Sequence, residues 1–117
     1  MKYLLISMLF IATLQATHLH KEVYYQKAFC KKINGITEYI LVDRTRVDCL
    51  TATHAIEVEF ASKWAESIGQ SLHYSLMTNK KAGVYLIIES EKDLKYLRRL
   101  ENVGALHDIK IWSSYYE

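Results

Sequence analysis

The spacing of apolar and polar positions changes several times along the 117-residue chain, and each change marks an element. In HKEVYYQKAFCKKING the apolar residues Val23, Tyr24, Ala28 and Phe29 recur near helical spacing, and Asn34-Gly35 supplies a helix stop. ITEYILV alternates as a strand does, Asp43-Arg44 supplies a turn, and TRVDCLT and HAIEVEF follow as two further strands joined through Ala52-Thr53. Loops this short predict an antiparallel meander. Over 61–78, Trp64, Ala65, Ile68, Leu72, Ser75 and Leu76 form the apolar face of one long helix, despite Gly69. KAGVYLIIES is almost continuously apolar, as a strand buried on both faces is. EKDLKYLRRLENVGA sets Leu94, Leu97, Leu100 and Val103 on one side, predicting an amphipathic helix stopped at Gly104, and IKIW closes as a last strand.

The order αβββαβαβ predicts an α/β fold. The helix between the third and fourth strands acts as a crossover, which makes that pair parallel and the central sheet mixed.

Composition agrees with one folded domain: half of the residues are hydrophobic, 12% are aromatic and proline is absent. A formal charge of +2 excludes a uniformly basic nucleic-acid binder, so any phosphate-binding surface has to be a local patch. Lys31-Lys32, Arg44 with Arg46, and Lys80-Lys81 are the local cationic pairs, each otherwise readable as solvated surface. The opening MKYLLISMLFIATLQA is a lysine, an apolar run from Tyr3 to Leu14, and small or polar residues. That run is too short to span a bilayer comfortably and has the layout of a secretory signal peptide cleaved near Ala16, the alternative being a buried N-terminal helix. Export would leave 17–117 as the mature domain, periplasmic or secreted. In that oxidising setting Cys30 and Cys49 can bridge, closing a loop of roughly 20 residues worth about 3 kcal/mol; two separate buried thiols are the alternative.

The chemistry concentrates in Arg46 to Trp64. Strand side chains alternate between faces, so Glu57 and Glu59 share one face and Ile56, Val58 and Phe60 the other. Asp48 lies on the preceding strand, which a hairpin sets beside Glu57. If both face the same way, two carboxylates and the Val58 carbonyl can hold one hard cation that keeps its waters. Glu59 can then hold a metal-bound water or a second ion. Lys63 follows in the next element, able to reach back to the carboxylates or else an ordinary exposed lysine beside Glu66 and Glu59. Gln70 and Tyr74, four residues apart, share a helix face with it, as contacts to a nucleic-acid backbone or equally as a polar fringe over the sheet. His54, at the strand start, reads more simply as a strand-end polar residue than as a site residue. His18 and His20 read as part of a mobile new N-terminus.

This arrangement resembles the PD-(D/E)xK nuclease superfamily. The resemblance lies in the element order, in Asp48 and Glu57-Val58-Glu59 on successive strands, and in Gln70-Ser-Leu-His-Tyr74, which matches the Q-x-x-x-Y motif of RecB-type exonucleases. The small Holliday-junction-resolvase-like members are similar too, and the likeness covers the chain after the leader. It implies a three-layer restriction-endonuclease-like fold and hydrolysis of DNA with magnesium or manganese (Mg2+ or Mn2+) on Asp48, Glu57 and the Val58 carbonyl. It also implies catalytic roles for Glu59 and Lys63, substrate contacts from Gln70, Tyr74 and Glu22, and a homodimer of the kind resolvase-like members form. Glu38 on the first strand is a further candidate. One position departs from the pattern: the family's lysine belongs where this chain has Glu59. Some members carry glutamate there and others move the lysine into the next helix, where Lys63 stands. The competing reading is an inactive nuclease-like module that binds nucleic acid or a protein in the cell envelope.

Overall fold

A computed structural model describes residues 17–117; the leader reading concerns 1–16 and lies outside the described residues. Helix α1 (Glu22–Lys32) ends where Asn34 turns left-handed at φ 57° and the Gly35 N–H bonds back to the Cys30 carbonyl. Strands β1 (Ile36–Ile40), β2 (Arg46–Leu50) and β3 (His54–Phe60) follow. A single 3-10 turn, Ala61–Lys63, leads into α2 (Trp64–Thr78). Strand β4 (Lys81–Ile87), helix α3 (Leu94–His107) and strand β5 (Lys110–Ser113) complete the domain.

The five strands form one mixed sheet in the order β1-β2-β3-β4-β5. The first three make the antiparallel meander, while β3-β4 and β4-β5 are parallel, each joined by a helical crossover. Alternation along the central strands divides the core between the two sheet faces. On one face Phe29 and Cys30 of α1 pack with Cys49, Ile56, Val58, Tyr85 and Ile87. On the other, Ala82, Val84 and Leu86 meet Leu97 and Leu100 of α3, while Ala55 and Val47 meet Tyr74 of α2. Glu57 pairs in register with Val84, so its side chain belongs to the α2–α3 face.

Cys30 and Cys49 are disulfide-bonded, with both sulfurs buried, and the bridge ties α1 to β2. Gly35 packs on this bridge. A Cβ there would overlap Cys49 Sγ and lie 2.6 Å from Cys30 Sγ.

Several boundaries and faces differ from those the sequence pattern predicts. Strand β1 stops at Ile40, before a turn in which Asp43 Oδ1 accepts the Thr45 N–H and hydroxyl. Helix α3 continues through Gly104, whose missing Cβ lets it approach the Ile109 carbonyl, and ends at left-handed Asp108. Helix α1 buries Gln26, Phe29 and Cys30 and leaves Val23 and Tyr24 exposed. The face that α2 turns inward is Ser67, Ser71 and Tyr74, with the predicted Trp64 and Ile68 half-buried against the α3 side of the core, while Leu72 and Leu76 are exposed. Both serines satisfy their hydroxyls within the helix, on the Trp64 and Ile68 carbonyls, so these small side chains can lie against the sheet without an unpaired polar atom. Among the described residues, no helix is long and apolar enough to cross a membrane.

Candidate carboxylate site

The β2-β3 ladder pairs Cys49 with Ile56 and Leu50 with Ala55. One residue further, the same register sets Asp48 opposite Glu57, and there the bonding pattern changes. The Val58 N–H donates to Asp48 Oδ2 at 2.8 Å, so a side chain takes a main-chain donor of β3. The Asp48 carbonyl is taken from the other side by Gln26 Nε2 at 2.9 Å. Two bonds that draw Asp48 away from a regular ladder thus come from its own carboxylate and from α1.

The other neighbour of Asp48 is irregular as well. In the β1-β2 register Glu38 falls between the Thr37–Cys49 and Tyr39–Val47 pairs, and its φ is 57°. A non-glycine residue in that region costs on the order of 1–2 kcal/mol. Here the Glu38 carboxylate accepts Gln26 Nε2 at 3.1 Å and meets Arg46 at 3.5 Å. Gln26, only 3% exposed, therefore ties β1, β2 and α1 together at one point.

The carboxylates gathered here come from three elements: Glu22 opens α1, Asp48 lies on β2, and Glu57 and Glu59 lie on β3. Glu57 is 4% exposed and Glu59 is 7% exposed. Burial pushes the Glu57 carboxyl up to about 10, and the charges of Asp48 and Glu59 act in the same direction. Burial also raises Glu59, to about 7, with Glu22 adding to the effect and the Phe60 N–H and Lys63 opposing it. Glu22 and Asp48 are raised for the same first reason, burial, with neighbouring carboxylates contributing and Lys63 drawing Glu22 back down. Near neutral pH the cluster holds protons that ordinary carboxylates release.

One oxygen, Glu57 Oε2, is buried with no hydrogen-bond partner. An unpartnered carboxyl oxygen inside a protein costs a few kcal/mol, and the usual remedies are a proton, a donor or a cation. The site offers few donors. Tyr74, buried on α2, lies against Glu57, and burial together with that negative surrounding raises its hydroxyl well above the ordinary value. Lys63 stays exposed while acting electrostatically on both Glu22 and Glu59.

The predicted residues therefore separate into two groups. Asp48, Glu57, Glu59, Glu22, Lys63 and Tyr74 interact with one another, and the Val58 backbone bonds directly to Asp48. Gln70 stands exposed on α2, whereas Tyr74 is buried, so the two do not form a common exposed fringe. Lys80 is a structural cation: its amine donates to the Thr51 and Ala52 carbonyls and closes the β2-β3 hairpin. His54 faces away from Glu57, packed edge-on against Trp112. His73 pairs with Asp43 at 2.8 Å.

Two features escape the sequence reading. Gln26 is the polar residue buried beneath the site, and a lone glutamine among helix residues gives no sign of that role. The second is the segment just before α1. Instead of a mobile terminus, His18 and Leu19 dock on Glu89, which accepts from the Leu19 N–H at 2.8 Å and from the Tyr25 hydroxyl at 2.7 Å and pairs with His18 Nδ1. Burial works to raise Glu89, but these three donors outweigh it and hold the carboxyl below its ordinary value. His18 also stacks on Phe60, ring centres 3.5 Å apart and planes 10° from parallel.

No three His, Cys, Asp or Glu side chains among the described residues form a ready metal cage. The smaller set of Asp48, Glu57 and one backbone carbonyl is what a cation that keeps most of its water requires. The orphaned Glu57 oxygen and the raised carboxyls fit that use, since a cation would displace protons from groups that now hold them. Comparison of the chain with known protein families, characterised proteins and solved structures gives no match.

Proposed function

We propose that the protein is a metal-dependent nuclease with a restriction-endonuclease-like fold, exported to the periplasm or beyond, that hydrolyses phosphodiester bonds in DNA. The observation that carries this reading is the buried, unpartnered Glu57 Oε2 beside Asp48, where the β2-β3 ladder changes its bonding. The mixed five-strand sheet with α1 on one face and α2 and α3 on the other is compatible with it.

Asp48, Glu57 and the Val58 carbonyl would hold magnesium or manganese. When bound, the ion supplies polarisation of the phosphodiester and a lowered pKa for an attacking water. The remaining work belongs to the chain. Gln26 holds the Asp48 backbone in place through its carbonyl, and the Val58 N–H orients the Asp48 carboxylate. Glu59, raised to about 7, is poised to accept a proton from water at neutral pH. Lys63 brings a positive charge to the rim, where a phosphate would gain negative charge.

A second reading is an inactive nuclease-like module, favoured by Glu59 in the position of the family's lysine and by the exposure of Lys63. Incubating the purified protein with single-stranded, duplex and branched DNA, in magnesium and in chelator, separates the two. Magnesium-dependent cleavage that Asp48→Ala abolishes is expected. No cleavage of any substrate, together with no magnesium or manganese binding by calorimetry, would favour the inactive module.

A further inference from the structure

The strap before α1 does more than close the fold. On one side of it runs a groove of about 420 Å³, walled by His18, Phe60 and Ser62 and, across from them, by Lys92, Lys95 and Tyr96 at the entry to α3. On the other side a recess of about 440 Å³ continues past Phe60 to Glu22, a member of the carboxylate cluster. His18 and Phe60 line both, so the stacked pair stands between the carboxylates and the α3 groove.

The imidazole is presented in a particular way. Phe60 covers one ring face, Glu89 holds Nδ1, and the side chain remains 39% exposed. A planar group arriving on the open face would extend an existing stack at little ordering cost, because the ring is already fixed. The charges suit an anion beside that planar group. Of the two carboxylates in the groove wall, Glu89 is occupied by three donors and Asp93 accepts the Glu89 N–H. Lys92 and Lys95 have no carboxylate within 4.0 Å among the described residues, and the Lys95 amine lies 4.9 Å from the centre of the Tyr96 ring. An aromatic platform facing unpaired lysines across a groove is what single-stranded nucleic acid uses: bases stack, and the backbone follows the positive charge. A duplex hides its base faces and cannot use the platform.

We propose that this groove is a single-strand nucleic-acid subsite, in which a base stacks on the open face of His18 and the adjoining phosphate meets Lys92 and Lys95. The proposal deepens the nuclease reading and rests on it only for the onward path to the carboxylates; binding itself needs no cleavage.

The test is fluorescence anisotropy of the purified protein in chelator, with a labelled oligothymidine of about ten nucleotides and a duplex of equal length. The oligothymidine should bind more tightly than the duplex. His18→Ala should weaken it about tenfold or more, His18→Phe should keep most of the affinity, and Lys92→Ala with Lys95→Ala should weaken it and flatten its salt dependence. The hydrogen bond from the Leu19 N–H to Glu89, which none of the variants alters, still holds the strap. Circular dichroism checks the fold, and should His18→Ala fail to fold, His18→Phe and the lysine pair decide. The proposal is overturned if neither oligonucleotide binds, if the duplex binds as well, if the variants leave affinity unchanged, or if His18→Phe falls as far as His18→Ala. Magnesium-dependent cleavage and its loss in Asp48→Ala judge the nuclease reading separately.

Discussion

Gln26 and Asp48 are joined by a bond from the Gln26 amide to the Asp48 main-chain carbonyl, at 2.9 Å and deep beneath the carboxylate cluster. The same nitrogen also reaches Glu38, so one side chain supports two strands at the point where β1 carries its left-handed residue. Gln26→Leu keeps the volume and removes both donors. It should destabilise the protein by about 1–3 kcal/mol in urea unfolding, the usual cost of leaving buried acceptors unpaired. It should also weaken magnesium binding measured by calorimetry, whereas Lys27→Ala on the exposed side of α1 should alter neither.

Protonation of Glu57 gives the metal-free protein a characteristic pH dependence. In the folded state its pKa is raised to about 10 and that of Glu59 to about 7, while unfolded glutamates titrate at ordinary values. Folding therefore takes up protons above the ordinary glutamate range, and stability falls as pH rises. Between pH 5 and 8, thermal unfolding in chelator should show a falling melting temperature. The Glu57 contribution is at most about 1.4 kcal/mol per pH unit. Glu57→Gln should flatten the curve and raise stability at pH 8. Added magnesium should stabilise wild type more at pH 8 than at pH 5, because cation and proton compete for the same oxygens.

The Cys30–Cys49 bridge anchors the helix that carries Gln26 and Glu22 to the strand that carries Asp48. Replacing both cysteines by alanine should cost about 3 kcal/mol in urea unfolding. Gly35→Ala should lower stability by about 1–3 kcal/mol with the bridge intact, because the new methyl would collide with both sulfurs. In the cysteine-free background that penalty should shrink, and a double-mutant cycle between the two changes measures the difference.

Element order was legible in the sequence because period and turn chemistry agree at most boundaries. Three Asn/Asp residues end helices in left-handed conformation, Asn34, Asn79 and Asp108, and the first and last illustrate both outcomes. Asn34 precedes Gly35 and stands out, whereas Gly104 resembles a stop but is a close-packing position within α3. Helix orientation was harder to read. On α2, burial of Ser67 and Ser71 rests on hydroxyls bonded within the helix, so polarity in the sequence points the wrong way. The pairing of Asp48 with Glu57 follows from strand order and register. The roles of Gln26 and Glu89 do not, because each depends on partners 12 or more residues distant.

On the proposed nuclease reading, Glu59 stands where the family pattern would have a lysine. Glu59 lies on the same strand face as Glu57, and Lys63, one 3-10 turn later, acts on Glu59 and Glu22 through its charge. If Lys63 supplies the positive charge that the family pattern carries on the strand, Lys63→Ala should lower DNA cleavage by about two orders of magnitude, within the range for losing one electrostatic contact to a transition state. Its magnesium affinity should stay near that of wild type, since on the proposed reading Asp48 and Glu57, not Lys63, would hold the ion. Adding Glu59→Lys to Lys63→Ala should not recover the rate, because the charge returns to the strand only with loss of the carboxyl that accepts the proton. Glu59→Lys alone would crowd a second cation against Lys63 and remove the carboxyl that titrates near neutrality, so it should be less active than wild type. Single-turnover cleavage across the four proteins, with metal titrations alongside, measures both effects. Full activity in Lys63→Ala would remove Lys63 from the chemistry.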